Sequence, residues 1–243
     1  MLIVFMFHKV SEPTTLVEKF ERFLIQLKSN YNLVLPGDKL SLFKQSICLT
    51  FDDAYFDFYY YVFPLLKKYQ IKAVLAVPTA FILDHTDIKP KERFNITQKE
   101  AMTDKTYQKA PFCTWQELKE MADSGFVEIA SHHHHHISSK DQNFDAEKEM
   151  IYSKKILEEK LQKPIKTLIY PYGHFSKEQH QIAKEFYPFI MRIGYAINFS
   201  WGKRRQLIYR VNADPFWKKD EKLNFKKNIA WFFKYLSNRI RKV

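Results

Sequence analysis

Residues 47–77 read ICLTFDDAYFDFYYYVFPLLKKYQIKAVLAV. Ile47 to Phe51 is a short, largely apolar run of the kind that is buried on both faces in a parallel sheet, and it delivers Asp52 and Asp53 at its C-terminal end. Tyr55 to Tyr69 is aromatic-rich and of helical length, with Pro64 either kinking the helix or marking a start. Ala73 to Val77 is a second apolar run. The stretch therefore predicts strand, helix, strand, with two carboxylates placed where the first strand ends.

The same alternation continues on both sides. Upstream, Leu2 to Phe7 predicts a buried strand ending at His8. A helix should follow: Thr15 and Glu18 have capping-box spacing, and Phe20, Phe23, Leu24 and Leu27 recur on one face. Downstream, residues 84–110 turn polar without clear periodicity and read as a long connection beside the site. Thr114 and Glu117 form a second capping box, leading a helix that stops near Gly125. A strand from Phe126 to Ala130 runs straight into five consecutive histidines, 132 to 136. A helical stretch from Asp145 to Leu161 then leads to a strand over Thr167 to Ile169, which ends in Tyr170-Pro171-Tyr172-Gly173. Alternating strands and helices with polar residues at strand ends predict an α/β fold whose site lies at the C-terminal ends of parallel strands.

Composition bounds what this fold can be. At 243 residues, with 46% hydrophobic content and only five glycines and ten prolines, the chain suits one large domain without a low-complexity tail. Cys48 and Cys113 sit in no C-x-x-C pattern, which argues against a disulfide framework or a thiolate metal site. The start, MLIVFMFHKV, has no basic segment ahead of its apolar run, and that run is too short to span a bilayer. The expectation is a cytoplasmic protein without a transmembrane helix. The formal charge of +12 favours anionic partners: membrane phospholipid, nucleic acid or a phosphate-bearing substrate. The basic residues are scattered rather than interleaved with aromatics in a nucleic-acid module, so nucleic acid ranks last.

Two adjacent carboxylates at a strand end, a histidine pair four apart and a lone histidine after the first strand supply the parts of a hydrolytic metal site. Each part has an ordinary alternative. Asp52 and Asp53 could cap a helix or pair with a cation, His8 could pack at a strand end, and the histidine run could be a solvated metal-scavenging tract. His132 and His136 face the same way if the chain makes a helical turn after the strand.

The stretch 49–77 resembles the first signature of the polysaccharide deacetylases, the carbohydrate esterases related to chitooligosaccharide deacetylase. FCTWQELKEMADSGFVEIASHHHHH (112–136) is similar to the family segment in which a Trp-containing helix precedes S-H-x-x-x-H, and LIYPYGHF (168–175) resembles the third signature. FMFHKV (5–10) is similar to a segment in a branch of permuted order that acts on poly-N-acetylglucosamine-type polymers. The resemblance covers residues 4 to 211. It implies a distorted (β/α) barrel, a deacetylase activity on an N-acetylated amino sugar, and one divalent metal ion, with zinc as the default for hydrolysis. Carried onto this chain, it assigns Asp53, His132 and His136 to the metal, Asp52 as general base, His8 as proton donor and the Tyr172 backbone N–H as an oxyanion donor. His133, His134 and His135 are intervening positions without an assigned role. Ala54 stands where the family usually has Gly. Ile169 stands where an arginine often orients the base carboxylate, so that ion pair is expected to be missing. A catalytically inactive glycan-binding relative is the alternative that these departures suggest.

The resemblance gives 1–220 as the catalytic domain and leaves 221–243 as a basic tail, with seven Lys or Arg against one Glu. Phe225, Ile229, Phe232, Phe233, Leu236 and Ile240 recur there at helical spacing. This helix either docks its apolar stripe on the domain or lies on anionic lipid at the inner face of the membrane. In the second case the saccharide substrate would be carrier-linked, to a lipid or a nucleotide.

Overall fold

The computed structural model describes residues 1–10, 14–96, 98–103, 106–202 and 207–240. Among them the strands are β1 (Leu2–Phe7), β2 (Asn32–Leu33), β3 (Ser46–Phe51), β4 (Ala73–Val77), β5 (Val127–Ser131), β6 (Thr167–Ile169), β7 (Phe189–Ile193) and β8 (Leu207–Asn212). The helices are α1 (Thr14–Asn30), α2 (Phe63–Tyr69), α3 (Pro90–Phe94), α4 (Gln98–Ala101), α5 (Trp115–Asp123), α6 (Ser153–Leu161), α7 (Lys177–Phe186), α8 (Asp214–Lys218) and α9 (Phe225–Ile240).

Every strand pairing is parallel, and β1 pairs with both β8 and β3, so seven strands close into a barrel in the order β1-β8-β7-β6-β5-β4-β3. The short β2 shares an edge of β3 with β4: β2 lies against Ser46 and Ile47, and β4 against Thr50 and Phe51. The expected (β/α) barrel is what the chain forms.

Side-chain parity along the strands explains how the barrel is filled. Leu2, Val4, Cys48, Val74, Ala76, Ala130, Ile169, Met191 and Ile208 pack together inside it. The alternate residues Ile3, Phe5, Phe7, Ile47, Leu49 and Phe51 face outward and meet Phe20, Phe23, Leu24 and Leu27 of α1. Phe7 stacks on Phe51 at 4.8 Å between ring centroids, and Phe20 meets Phe7 edge-on at 5.5 Å. Each fully buried side chain of this size contributes about 1.5–3 kcal/mol, which is why the apolar runs dictate these strands. Successive side chains in a strand alternate faces. Inside positions 4, 48, 130 and 208 therefore extend upward to 8, 52, 132 and 210.

The structure departs from the sequence reading in places. The segment 55–69 is helical but opens with a π-helical stretch, Phe58–Val62, before α2 begins at Phe63 with Pro64 in its first turn; 145–161 likewise begins with π-helical Glu147–Tyr152. α1 starts at Thr14, so Thr15 lies inside its first turn, and the position before the helix is outside the described residues. The second capping box is present as read, with Thr114 and Glu117 exchanging both bonds. The polar connection 84–110 carries α3 and α4, and its Arg93 guanidinium donates to both Glu117 oxygens (2.7 and 2.9 Å) and to the carbonyls of Ala110 and Phe112. Both cysteines are buried free thiols.

The tail does not dock by its expected stripe. Trp231 is the buried residue of α9, meeting Phe216 edge-on at 6.0 Å, while Ile229, Phe232, Phe233, Leu236 and Ile240 are exposed; the Phe225 side chain lies outside the described residues. No described helix is long and apolar enough to cross a membrane.

Candidate metal centre

At the C-terminal end of β3 the backbone turns left-handed at two successive residues, Asp53 (φ 71°) and Ala54 (φ 53°). This separates the two carboxylates. Asp52 continues the inward parity of β3, its N–H donating to the Phe7 carbonyl at 2.9 Å, whereas Asp53 swings toward the end of β5. A left-handed alanine costs about 1–2 kcal/mol. Here the Ala54 methyl is wholly buried in the core and its carbonyl accepts from the Cys113 N–H at 2.8 Å, which offsets the strain. Ala54→Gly is expected to destabilise by less than about 1 kcal/mol, because relief of strain is opposed by a lost buried methyl and a freer unfolded chain. Denaturant unfolding of the variant checks this; a gain above about 1 kcal/mol would show that the methyl contributes nothing.

The chain after β5 makes no helical turn. Instead His133 (φ 64°) and His136 (φ 55°) adopt left-handed conformations, and this brings the imidazoles of His132 and His136 to 4.7 Å between ring centroids. The three histidines between them hold the loop. His134 and His135 donate their backbone N–H groups to Glu149 Oε2 (3.0 and 2.8 Å), and His135 Nδ1 pairs with Glu149 Oε1 at 2.6 Å. His134 Nδ1 bonds Thr79 Oγ1 at 2.7 Å, and Ser153 Oγ donates to the His133 carbonyl at 3.1 Å. Burial drives the His133 pKa down to about 3 and that of His134 to about 4, so both rings are neutral near pH 7.

Asp53 Oδ1 lies 3.1 Å from His136 Nε2 and 3.5 Å from His132 Nε2. These three ligand atoms all fall within 4.8 Å of one another. His132 Nδ1 sits 2.8 Å from the Ile169 carbonyl, a contact that places its proton on Nδ1 and leaves the Nε2 lone pair directed at the centre. Asp53 Oδ1 is buried and makes no hydrogen bond, so it too is available as a ligand. Burial acts to raise the Asp53 carboxyl, but the two imidazoles outweigh it and hold the group well below the usual carboxylate range. Two imidazole nitrogens and one carboxylate oxygen around a shared point suit a divalent metal with a position left open.

Beside this centre, Asp52 is 4% exposed and receives a fork from Arg210 of β8: Nη1 to Oδ1 at 2.6 Å and Nη2 to Oδ2 at 2.9 Å. The same Nη1 donates to Thr50 Oγ1 at 3.1 Å. The ion pair that Ile169 seemed to remove is thus present, supplied from a different strand. Burial pushes the Asp52 pKa up, but the charge and hydrogen bonds of Arg210, aided by the neighbouring His132 and His8, together outweigh this and leave the carboxyl lowered. His8 Nε2 stands 4.0 Å from Asp52 Oδ2 and remains partly open to solvent. Tyr172, left-handed at φ 57°, lays its ring 5.0 Å from that of His136 at the exposed rim. The turn around it is closed by the amides of Gly173 and His174.

All six residues singled out in the sequence therefore meet at one mouth of the barrel. Arg210 was missed. Its signal is present in LIYRVN, where an arginine interrupts a strand-length apolar run, because a charge in a strand buried on both faces needs a counter-charge.

Among solved structures, IcaB from Ammonifex degensii superposes with a TM-score of 0.68 at 18% identity, covering 90% of this chain and 94% of that one. A de-N-acetylase from Aggregatibacter actinomycetemcomitans gives 0.66 at 19% identity, covering 95% and 99%. At these identities the likeness concerns the fold. The poly-beta-1,6-N-acetyl-D-glucosamine N-deacetylase of Escherichia coli strain K12 is 38% identical over 89 residues, which are 37% of this chain and 12% of that protein. The chain thus matches a small part of that relative's length. The sequence model of the polysaccharide deacetylase family matches residues 40–187. That stretch holds Asp52, Asp53, His132, His136 and Tyr172, while His8 and Arg210 lie outside it. The chain belongs to the polysaccharide deacetylase family.

Proposed function

We propose that the protein hydrolyses the N-acetyl group of an acetylated amino sugar in a glycan or glycan precursor, using one divalent ion held by Asp53, His132 and His136. The observation that carries this reading is the convergence of two imidazole Nε2 atoms on a buried carboxylate oxygen, next to a second carboxylate held ionised. Zinc suits the donor set and the chemistry. When bound, the ion would polarise the acetyl carbonyl and acidify water at its open position.

The protein's own residues supply the remaining steps. Asp52, ionised by Arg210, takes the proton of the attacking water as the water oxygen bonds to the acetyl carbon. The Tyr172 N–H, at a left-handed position on the rim, donates to the developing oxyanion. His8 gives its proton to the sugar nitrogen as the C–N bond breaks, so the amine departs neutral and acetate remains. The name of the E. coli relative makes N-acetylglucosamine the first sugar to try.

The test is acetate release from β-1,6-linked N-acetylglucosamine oligomers by zinc-loaded protein. Acetate and primary amine should appear in equal amounts, stop on chelation and return with added zinc. Saccharide binding without acetate release at any metal loading would favour the non-catalytic alternative.

A further inference from the structure

α9 meets the barrel with one face and exposes an apolar one. At 3.6 residues per turn, Trp231, Tyr235 and Asn238 share a side. Tyr235 packs on Phe199 (5.2 Å) and Tyr209 (6.2 Å), and Asn238 Nδ2 donates to the Gly194 carbonyl at 3.1 Å. Ile229, Phe232, Phe233, Leu236 and Ile240 occupy a different arc of about 100°. Their exposure runs from 37% for Phe232 to 81% for Ile240. An apolar stripe this long on a helix already docked by its other side needs a second solvent.

The patch extends past the helix. Leu42 and Phe43, 90% and 97% exposed, stand at the tip of the loop before β3, and Gln45 Nε2 in that loop reaches Asn228 Oδ1 of α9 at 3.5 Å. Phe199, also exposed, meets Phe232 at 6.1 Å. Cations predominate at its border: Lys39 and Lys44 are exposed beside the loop tip, with Asp38 as an exposed acid next to them, and on the helix exposed Lys226 and Arg239 flank opposite edges of the stripe. From residue 222 to the last residue there is no Asp or Glu.

We infer that the apolar face of α9, together with Leu42 and Phe43, docks on an anionic phospholipid bilayer. Apolar groups bordered mainly by cations match the headgroup boundary of such a membrane. A second copy of the chain fits less well, because a two-fold pairing through this face would set the same cations against one another in a protein already carrying +12. The end of α9 nearest the catalytic mouth supplies Lys234 and Asn238 to a groove that also contains Tyr172, His174 and Arg192. A membrane-docked α9 therefore holds the mouth close to the lipid surface.

The experiment is co-sedimentation of the intact chain with vesicles of phosphatidylcholine, with or without about 30% phosphatidylglycerol. Binding is expected to the anionic vesicles, weaker in high salt. Phe233→Asp and the pair Leu42→Ser with Phe43→Ser should each lower the partition coefficient by at least about tenfold while leaving thermal unfolding unchanged, since all three side chains are exposed. Absence of binding, or binding that these substitutions leave intact, would overturn the inference. So would a concentration-dependent dimer that Phe233→Asp dissociates and that does not bind vesicles.

Discussion

Asp52→Asn is expected to lower kcat by roughly 10²- to 10⁴-fold, the usual contribution of a positioned general base, while the bound metal stays at one per chain. The amide matches the carboxylate in shape and can still accept from Arg210, but it cannot take a proton from water. Metal retention is the discriminating readout, because Asp52 is not among the three groups that converge on the metal position. Metal analysis and turnover on the same preparation decide it, and retention of more than a tenth of the activity would remove Asp52 from the base role. The fold should persist in a weakened form, since Arg210 is left buried without its anion.

Arg210→Met is expected to cost about 3–5 kcal/mol of stability at neutral pH, the loss typical of removing one partner from a buried ion pair. The pH dependence has a definite sign. In the native protein the folded pKa of Asp52 lies below its unfolded value, so the pair stabilises fully above the unfolded carboxylate range, about pH 3.9, and loses this as pH falls through the lower folded value. Without the guanidinium, burial is the dominant influence and raises the carboxyl instead. The variant then loses stability as pH rises from about 4, so the gap between the two proteins is widest near neutrality and narrows in acid. The acidic limb of kcat/KM should move to higher pH for the same reason. Unfolding curves at acid and neutral pH, with a pH profile of turnover, test both halves; an unmoved acidic limb would mean that another group sets the Asp52 charge.

Much of this could be read from the chain because the barrel is built from apolar runs. β1, β3, β4, β5 and β6 are legible, since strands buried on both faces must be apolar throughout. β2 is two residues long, too short to show a pattern, and β7 and β8 each contain an arginine that breaks the run. The site was legible as residues but not as geometry. Left-handed conformations at Asp53, His133 and His136 carry no sequence mark when none of them is glycine, so the turn that joins His132 to His136 could only be read as helical, whereas Ala54 was marked by standing where the family usually has Gly. The face of α9 that meets the domain stayed open between two readings, because periodicity shows that a stripe exists, not which side docks; Trp231 and Tyr235, not the longer stripe, make that contact.

Barrel closure has a kinetic meaning as well. β8 pairs with β1 through Val4 opposite Arg210, Phe5 opposite Val211 and Met6 opposite Asn212, contacts that join nearly the two ends of the described chain. A pairing of such high contact order closes a long loop at an entropic cost, which slows its formation. Arg210 belongs to that seam, and its fork reaches Asp52 across 158 positions of sequence. A chain in which β8 has not yet joined β1 leaves the Asp52 carboxylate without its cation. Completion of the wall and burial of the Asp52–Arg210 pair are therefore one folding event: the seam that closes the barrel also brings in the cation that the buried carboxylate requires.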